Sequence, residues 1–323
     1  MRRVTGLVAS ALGTFLIVLA LFMRFYVAGQ AIKFPLNEDT ISTLTASNVT
    51  YFSPVTLTEL TGVTLQNTIT VQGDVASGDS GRAVWDEFSY TYDITNHQQF
   101  EYTMQRLAFD RRSAELINCC GTFVGLKTNL QVSGLGYVWP FNAQERTYDV
   151  FDSILTKPMP FSYAGMVVID GERAYKYVES VPATRASTET LPGSLVGVKD
   201  QQTVTLGEYY QGTTTEWVDP ITGLSVKTNS NQHLYLAVSS GTPLLNLLQA
   251  DFSSTGSTVA SAVDTAKSED NKINLLTLLL PLTLGLTGLI ALVIGIILAR
   301  PREQHADYDA DSADEHEVGV GLP

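Results

Sequence analysis

The sequence predicts a membrane protein with one transmembrane helix near each end and a mainly β extracytoplasmic domain, with some α structure, between them. Three observations carry that reading. An uncharged apolar run follows Arg2 and Arg3, a second occupies residues 273–299, and period-two alternation rich in β-branched and aromatic residues fills the middle. The bulk numbers agree. Of 323 residues 44% are hydrophobic and only 16% charged, below the usual charged fraction of a soluble domain.

Taken in order, residues 1–3 form a cytoplasmic N-terminus and residues 4–23 a transmembrane helix. About 20 residues at 1.5 Å each match a hydrocarbon core near 30 Å. A cleavable signal peptide is the competing reading, since Arg2 and Arg3 form a basic leader and Val27, Ala28 and Gly29 are small. The apolar run, however, exceeds the roughly 7 to 15 residues of a signal core. Arg24, Phe25 and Tyr26 also stand where small uncharged residues belong, so an uncleaved anchor is expected.

Residues 24–272 form the outer domain. The net charge of the chain is −13, and residues 28–272 hold 15 Lys/Arg against 26 Asp/Glu. Such an acidic surface serves solubility and excludes nucleic acid as a partner. Phe88, Tyr90 and Tyr92 alternate with Ser89, Thr91 and Asp93; Phe100, Tyr102 and Met104 alternate likewise beyond Thr95, Asn96 and His97, which predicts a hairpin with one aromatic and one polar face. Asp170-Gly171 separates MVVI from AYKYVES, and Asp219 to Gly223 separates TTTEWV from LSVKT, predicting two more hairpins. The leucines of residues 243–249 suggest a helical turn, and residues 182–192 are the gentlest break, although one continuous β domain is preferred.

Helical spacing returns at residues 257–272, where Val259, Ala262, Val263 and Ala266 recur at three and four and predict a juxtamembrane helix. Residues 273–299 are the second span. Gly285 and Gly288 are three apart rather than the four of a GxxxG motif, so ordinary close packing is expected. Residues 300–323 form an acidic, disordered cytoplasmic tail, with His305 and His316 solvated rather than metal-bound. Arg2 and Arg3 before the first span, and Arg300 and Arg302 after the second, place both termini in the cytoplasm and the main domain outside the plasma membrane.

Candidate chemistry is sparse. The only cysteines, Cys119 and Cys120, are adjacent and face an oxidising compartment; they form a vicinal disulfide, stay as buried thiols, or link to another chain. Pairing of neighbours demands unusual peptide geometry. There is no GxSxG, HExxH or CxxC, and the outer domain has only His97 and His233, so no catalytic, cofactor or metal site is assigned. Arg111 and Arg112 are candidates for contact with an anionic group, against a structural ion pair with Asp110 or Glu115.

Five segments together resemble the actinobacterial porin PorA family, otherwise a domain of unknown function. They are AFDRRSAELINCCG (108–121), YVWPFNAQERTYDVFDSIL (137–155), AYKYVESVP (174–182), LPGSLVG (191–197) and WVDPITGLSV (217–226). The resemblance implies an actinobacterial cell-envelope protein, and no catalytic residues or cofactors carry over with it. The two-span plan also resembles CD36-like scavenger receptors, in architecture alone. Two apolar helices are not the material of a membrane β-barrel, which is a closed sheet of alternating residues. The leading expectation is therefore an outer domain that binds or passes a lipid or lipoglycan from the bilayer. The alternatives are a scaffold that recruits envelope-assembly proteins, and an envelope hydrolase or transferase.

Overall fold

The computed structural model describes residues 2–198 and 200–300, which fall into two compact units: the two chain ends, up to Val27 and from Leu276, and the segment Ala28–Leu275. The acidic tail with His305 and His316 lies outside the described residues. In chain order, α1 (Arg2–Phe22) passes through a π-helical turn (Met23–Val27) into the single turn α2 (Ala28–Ala31). The strands are β1 (Asp39–Ser53), β2 (Thr58–Gly73), β3 (Arg82–Asp93), β4 (Gln98–Asp110), β5 (Leu116–Ile117), β6 (Phe123–Val124), β7 (Lys127–Thr128), β8 (Tyr148–Asp152), β9 (Lys157–Ile169), β10 (Glu172–Pro192), β11 (Thr203–Val218), β12 (Ser225–Ala237) and β13 (Leu245–Ser254). Then come α3 (Gly256–Asn274), a second π-helical turn (Leu275–Leu279) and α4 (Leu280–Ala299).

In the first unit, α1 and α4 are long and apolar enough to cross a bilayer. They pack antiparallel along small residues seven apart. A Cβ on Gly6 would lie 2.6 Å from the Ala299 nitrogen, and one on Gly13 would lie 2.5 Å from the Leu292 nitrogen and 2.6 Å from the Gly288 oxygen. Gly295 abuts Gly6 and Ser10, and Ala20 lies beside Gly285. Backbones approach this closely only where side chains are absent, which is how apolar helices gain packing without a hydrophobic driving force.

The second unit is one antiparallel sheet, ordered β7-β6-β4-β3-β2-β1-β13-β12-β11-β10-β9-β8, with β5 also on β4. The first and last long strands pair in its middle, Leu44 opposite Ser254. The sheet curls until its ends meet at a connecting segment: Leu116 N donates to Gly134 O, Leu135 N to Asp149 O and Phe151 N to Leu135 O, each at 2.8 Å. Inside the curl, Trp85, Phe109, Tyr148, Phe161, Tyr177 and Val218 from the strands and Trp139 from the connecting segment form one buried cluster. Trp139 stacks on Tyr177 at 4.2 Å between centroids, and Trp85 meets Phe109 edge-on at 4.8 Å. Such pairs add about 0.5–1.5 kcal/mol each beyond the area they bury. A second cluster, around Tyr51, Leu65, Leu248, Ala250 and Phe252, fills the curl elsewhere.

The three expected hairpins form, as β3–β4, β9–β10 and β11–β12. Asp170 and Gly171 take φ of 49° and 89°, the paired positive angles of a tight hairpin turn. The expected juxtamembrane helix is α3. Thr255 caps it by accepting from Thr258 N at 3.3 Å, and Thr258 exchanges hydrogen bonds with Thr43 of β1. Its stripe of Val259, Ala262, Val263 and Ala266 packs on Ile169, Ala174, Trp217 and Val226, on the sheet face opposite the aromatic core.

Two expectations are corrected. Residues 243–249 are not a helical turn: from Leu245 the chain is strand β13, because the alternation Leu248, Ala250, Phe252 continues past the leucine run and buries every second residue. The aromatic face of β3 and β4 is also split: Phe100, beside the bulge at Thr91 and Tyr92, packs edge-on against Tyr51 of the second cluster at 4.7 Å between centroids. Tyr90 and Tyr102 are exposed while Thr91 and Asp93 are buried, so the polar face is the inner one. Residues 182–192 simply form the second half of β10.

Candidate functional site: an acid-lined inner face

Period two and the strand register together define a polar band on the inner face. On β3, Glu87, Ser89 and Thr91 follow Trp85 on the same side, and across the ladder they meet Gln105, Thr103 and Glu101 of β4. Asn67 of β2 donates to Ser89 Oγ and Thr91 Oγ1, both at 2.8 Å. On the opposed strands, Glu179 of β10 faces Thr214 of β11, which hydrogen-bonds Ser230 of β12 at 3.1 Å. Glu216, two residues along β11, accepts from Trp139 Nε1 at 2.8 Å.

Desolvation raises the carboxyls of Glu87, Glu101 and Glu216 above the ordinary range; Glu87 reaches about 7, with Gln105 offsetting part by a hydrogen bond, and Glu101 is raised further by Glu208. Yet Glu101 is exposed and Glu87 and Glu216 are half-buried. Each of the three carboxyls is therefore raised by the protein around it while water still reaches the residue. Glu179 is different. It is 3% exposed, its Oε1 has no donor, and burial, aided by Asp152 and Glu216, pushes its carboxyl up to about 7. A lone carboxylate in that position costs more than a neutral acid, so Glu179 holds a proton near neutrality.

Cys119 and Cys120 are joined by a disulfide, with Cys120 at a φ of 63°. The carbonyl of Cys120 accepts from Arg106 Nε at 3.0 Å. Arg106 also binds both oxygens of Asp86, Ser77 Oγ and Asp74, tying the cysteine loop to β3 and the β2–β3 turn. Arg106 in turn holds the Asp74 carboxyl down at about 2. Arg111 and Arg112 do not pair with Asp110 or Glu115. Arg111 Nε donates to Phe34 O at 2.6 Å and Nη1 to Asp79 O at 3.3 Å, while Arg112 Nη2 donates to Gln30 Oε1 at 3.1 Å. Asp110 accepts instead from the backbone of Arg112 and Ser113. The two arginines therefore anchor the end of β4 to the segment leading into β1.

A second group of carboxylates lies outside the curl. Glu172, Asp219 and Asp270 bring one oxygen each within 4.8 Å of the others. Neither this trio nor the inner acids stand out in the sequence as a motif. The inner acids were signalled only by alternation, whose polar side could be assigned inward only once the opposed strands were in place.

The family model described as Porin PorA matches residues 5–297. The protein named Porin PorA from Corynebacterium resistens is 23% identical over 240 residues, covering 54% of this chain and 58% of that protein. With nearly its whole described length matched, the chain belongs to the Porin PorA family.

Proposed function

We propose that this protein is a channel-like component of the cell envelope in which the curled sheet, rather than the helices, offers small polar or cationic solutes a wet path. The two apolar helices anchor it in a membrane. The observation that carries this is the inner band of Glu87, Glu101 and Glu216 with its Ser, Thr, Asn and Gln neighbours. A low-dielectric wall of carboxylates concentrates cations once the acids ionise, so with Glu87 raised to about 7 the effect strengthens as the pH rises through that value. The family description is consistent with it.

The lipid-passing reading rested on the two-point anchoring together with the aromatic strand faces around Phe88 to Met104. With Tyr90 and Tyr102 exposed rather than lining a hollow, the aromatic half of that argument loses its support. The test is ion flux through vesicles or planar bilayers reconstituted with the full chain. Flux above the protein-free control, with cations favoured over anions, is expected, and the triple substitution Glu87→Gln, Glu101→Gln, Glu216→Gln should reduce that preference severalfold. Absence of flux together with a stoichiometric copurifying lipid would overturn the proposal and restore lipid transfer.

A further inference from the structure

The carboxylate trio sits where α3 docks on the sheet. Glu172 opens β10, Asp219 begins the β11–β12 turn and Asp270 lies in the last turns of α3, four residues beyond Ala266, the buried end of the apolar stripe. Asp219 is 2% exposed and fixed: its Oδ1 accepts from Ile221 N at 3.1 Å and from Thr222 N and Oγ1 at 2.7 Å each. Asp270 presents the opposite situation, because its Oδ1 is shut off from solvent and has no donor at all.

The neighbouring cations are occupied or peripheral. Lys267 of α3 donates to Asp170 O at 2.9 Å, Lys272 pairs with Glu269 on its own helix, and Lys227 of β12 lies over the Trp217 ring. Arg173 lines the cleft but is exposed, and the remaining charged group on the cleft wall is another acid, Glu145. Asp264 of α3 is exposed, and Glu269, paired with Lys272, also acts on Glu38. With two further carboxyls this close and a buried oxygen that has no donor, Asp270 is the member of the trio placed to take a proton.

We propose that α3 is latched to the sheet by one proton held on Asp270 and shared with Asp219, so that the end of α3 docks when the trio is protonated and loosens when it is not. The direction follows from burial first and then from Asp219 and Glu172, which together push the Asp270 carboxyl from 3.8 up to about 7. The docked form binds the proton more tightly than the released form. Docking is therefore fully supported below about pH 4 and loses that support as the pH rises through about 7.

Hydrogen exchange of the full chain in detergent, followed by mass spectrometry with EDTA present, tests this at pH 5.5 and 8.0 after correction for intrinsic rates. Peptides covering 263–274 should lose protection by roughly tenfold or more at pH 8.0, while Asp270→Asn keeps it at both values. Glu172→Gln, which removes one like charge and leaves the helix stripe untouched, should show a smaller loss than the wild type. Equal wild-type protection at the two pH values would overturn the latch. So would the same loss in Asp270→Asn, or protection at pH 8.0 that disappears only when EDTA is added, which would assign the trio to a divalent cation.

Discussion

At the scale of single residues, Glu179 and Arg106 show how much depends on what surrounds a charge. Arg106 answers two aspartates, a serine and a carbonyl, and nothing in its local sequence distinguishes it from the neighbouring Arg111 and Arg112, which drew attention because they are adjacent. Glu179 sits in the strand sequence AYKYVES as one more polar position, and only the opposed β8 and β11 make it a buried acid. Because its folded-state carboxyl is raised from 4.5 to about 7, the protein loses stability as pH climbs through that window. Glu179→Gln removes the effect: the gap between unfolding temperatures at pH 5.5 and 8.0 should narrow, by the equivalent of about 2 kcal/mol once solvent screening is allowed for. An unchanged gap would mean that Glu179 stays ionised.

Elements were more legible than residues, because periodicity is a property of whole stretches. The β3–β4 alternation, the Asp170-Gly171 turn and the stripe of α3 could each be read directly, since local geometry alone sets their spacing. What alternation cannot say is which face turns inward; β3 has aromatic residues on one side and Glu, Ser and Thr on the other, and the sheet curls toward the polar side. The helix pair shows the same limit. Spacing of three between Gly285 and Gly288 hid the interval of seven that matters, Gly6 and Gly13 against Gly288 and Gly295. Gly13→Leu should therefore force α1 and α4 apart and cost about 2 kcal/mol, read as a lower unfolding temperature in detergent. Gly29→Ala, at a position with open space around it, is the matched control and should change nothing measurable.

For the whole molecule, composition and the two apolar runs were enough to foresee terminal helices around an acidic β domain, whereas the curl depends on contacts far apart in the chain. The pairing of β1 with β13 has a temporal meaning. Leu44 waits for Ser254, so the central ladder of the sheet cannot close until more than 200 further residues have been made. Contacts of such sequence separation slow folding, because the entropy of closing the loop is spent before any pairing repays it. Until then β1 and β2 form a hairpin with a bare edge, rich in Thr, Val and Leu, open to pairing with another chain. A chain stopped after β12 should stay aggregation-prone and protease-sensitive, and recovery of a soluble, protease-resistant core from it would contradict this order of assembly. The arrangement makes the last strand the one that completes the fold, so a nascent chain cut short leaves no partly working product behind.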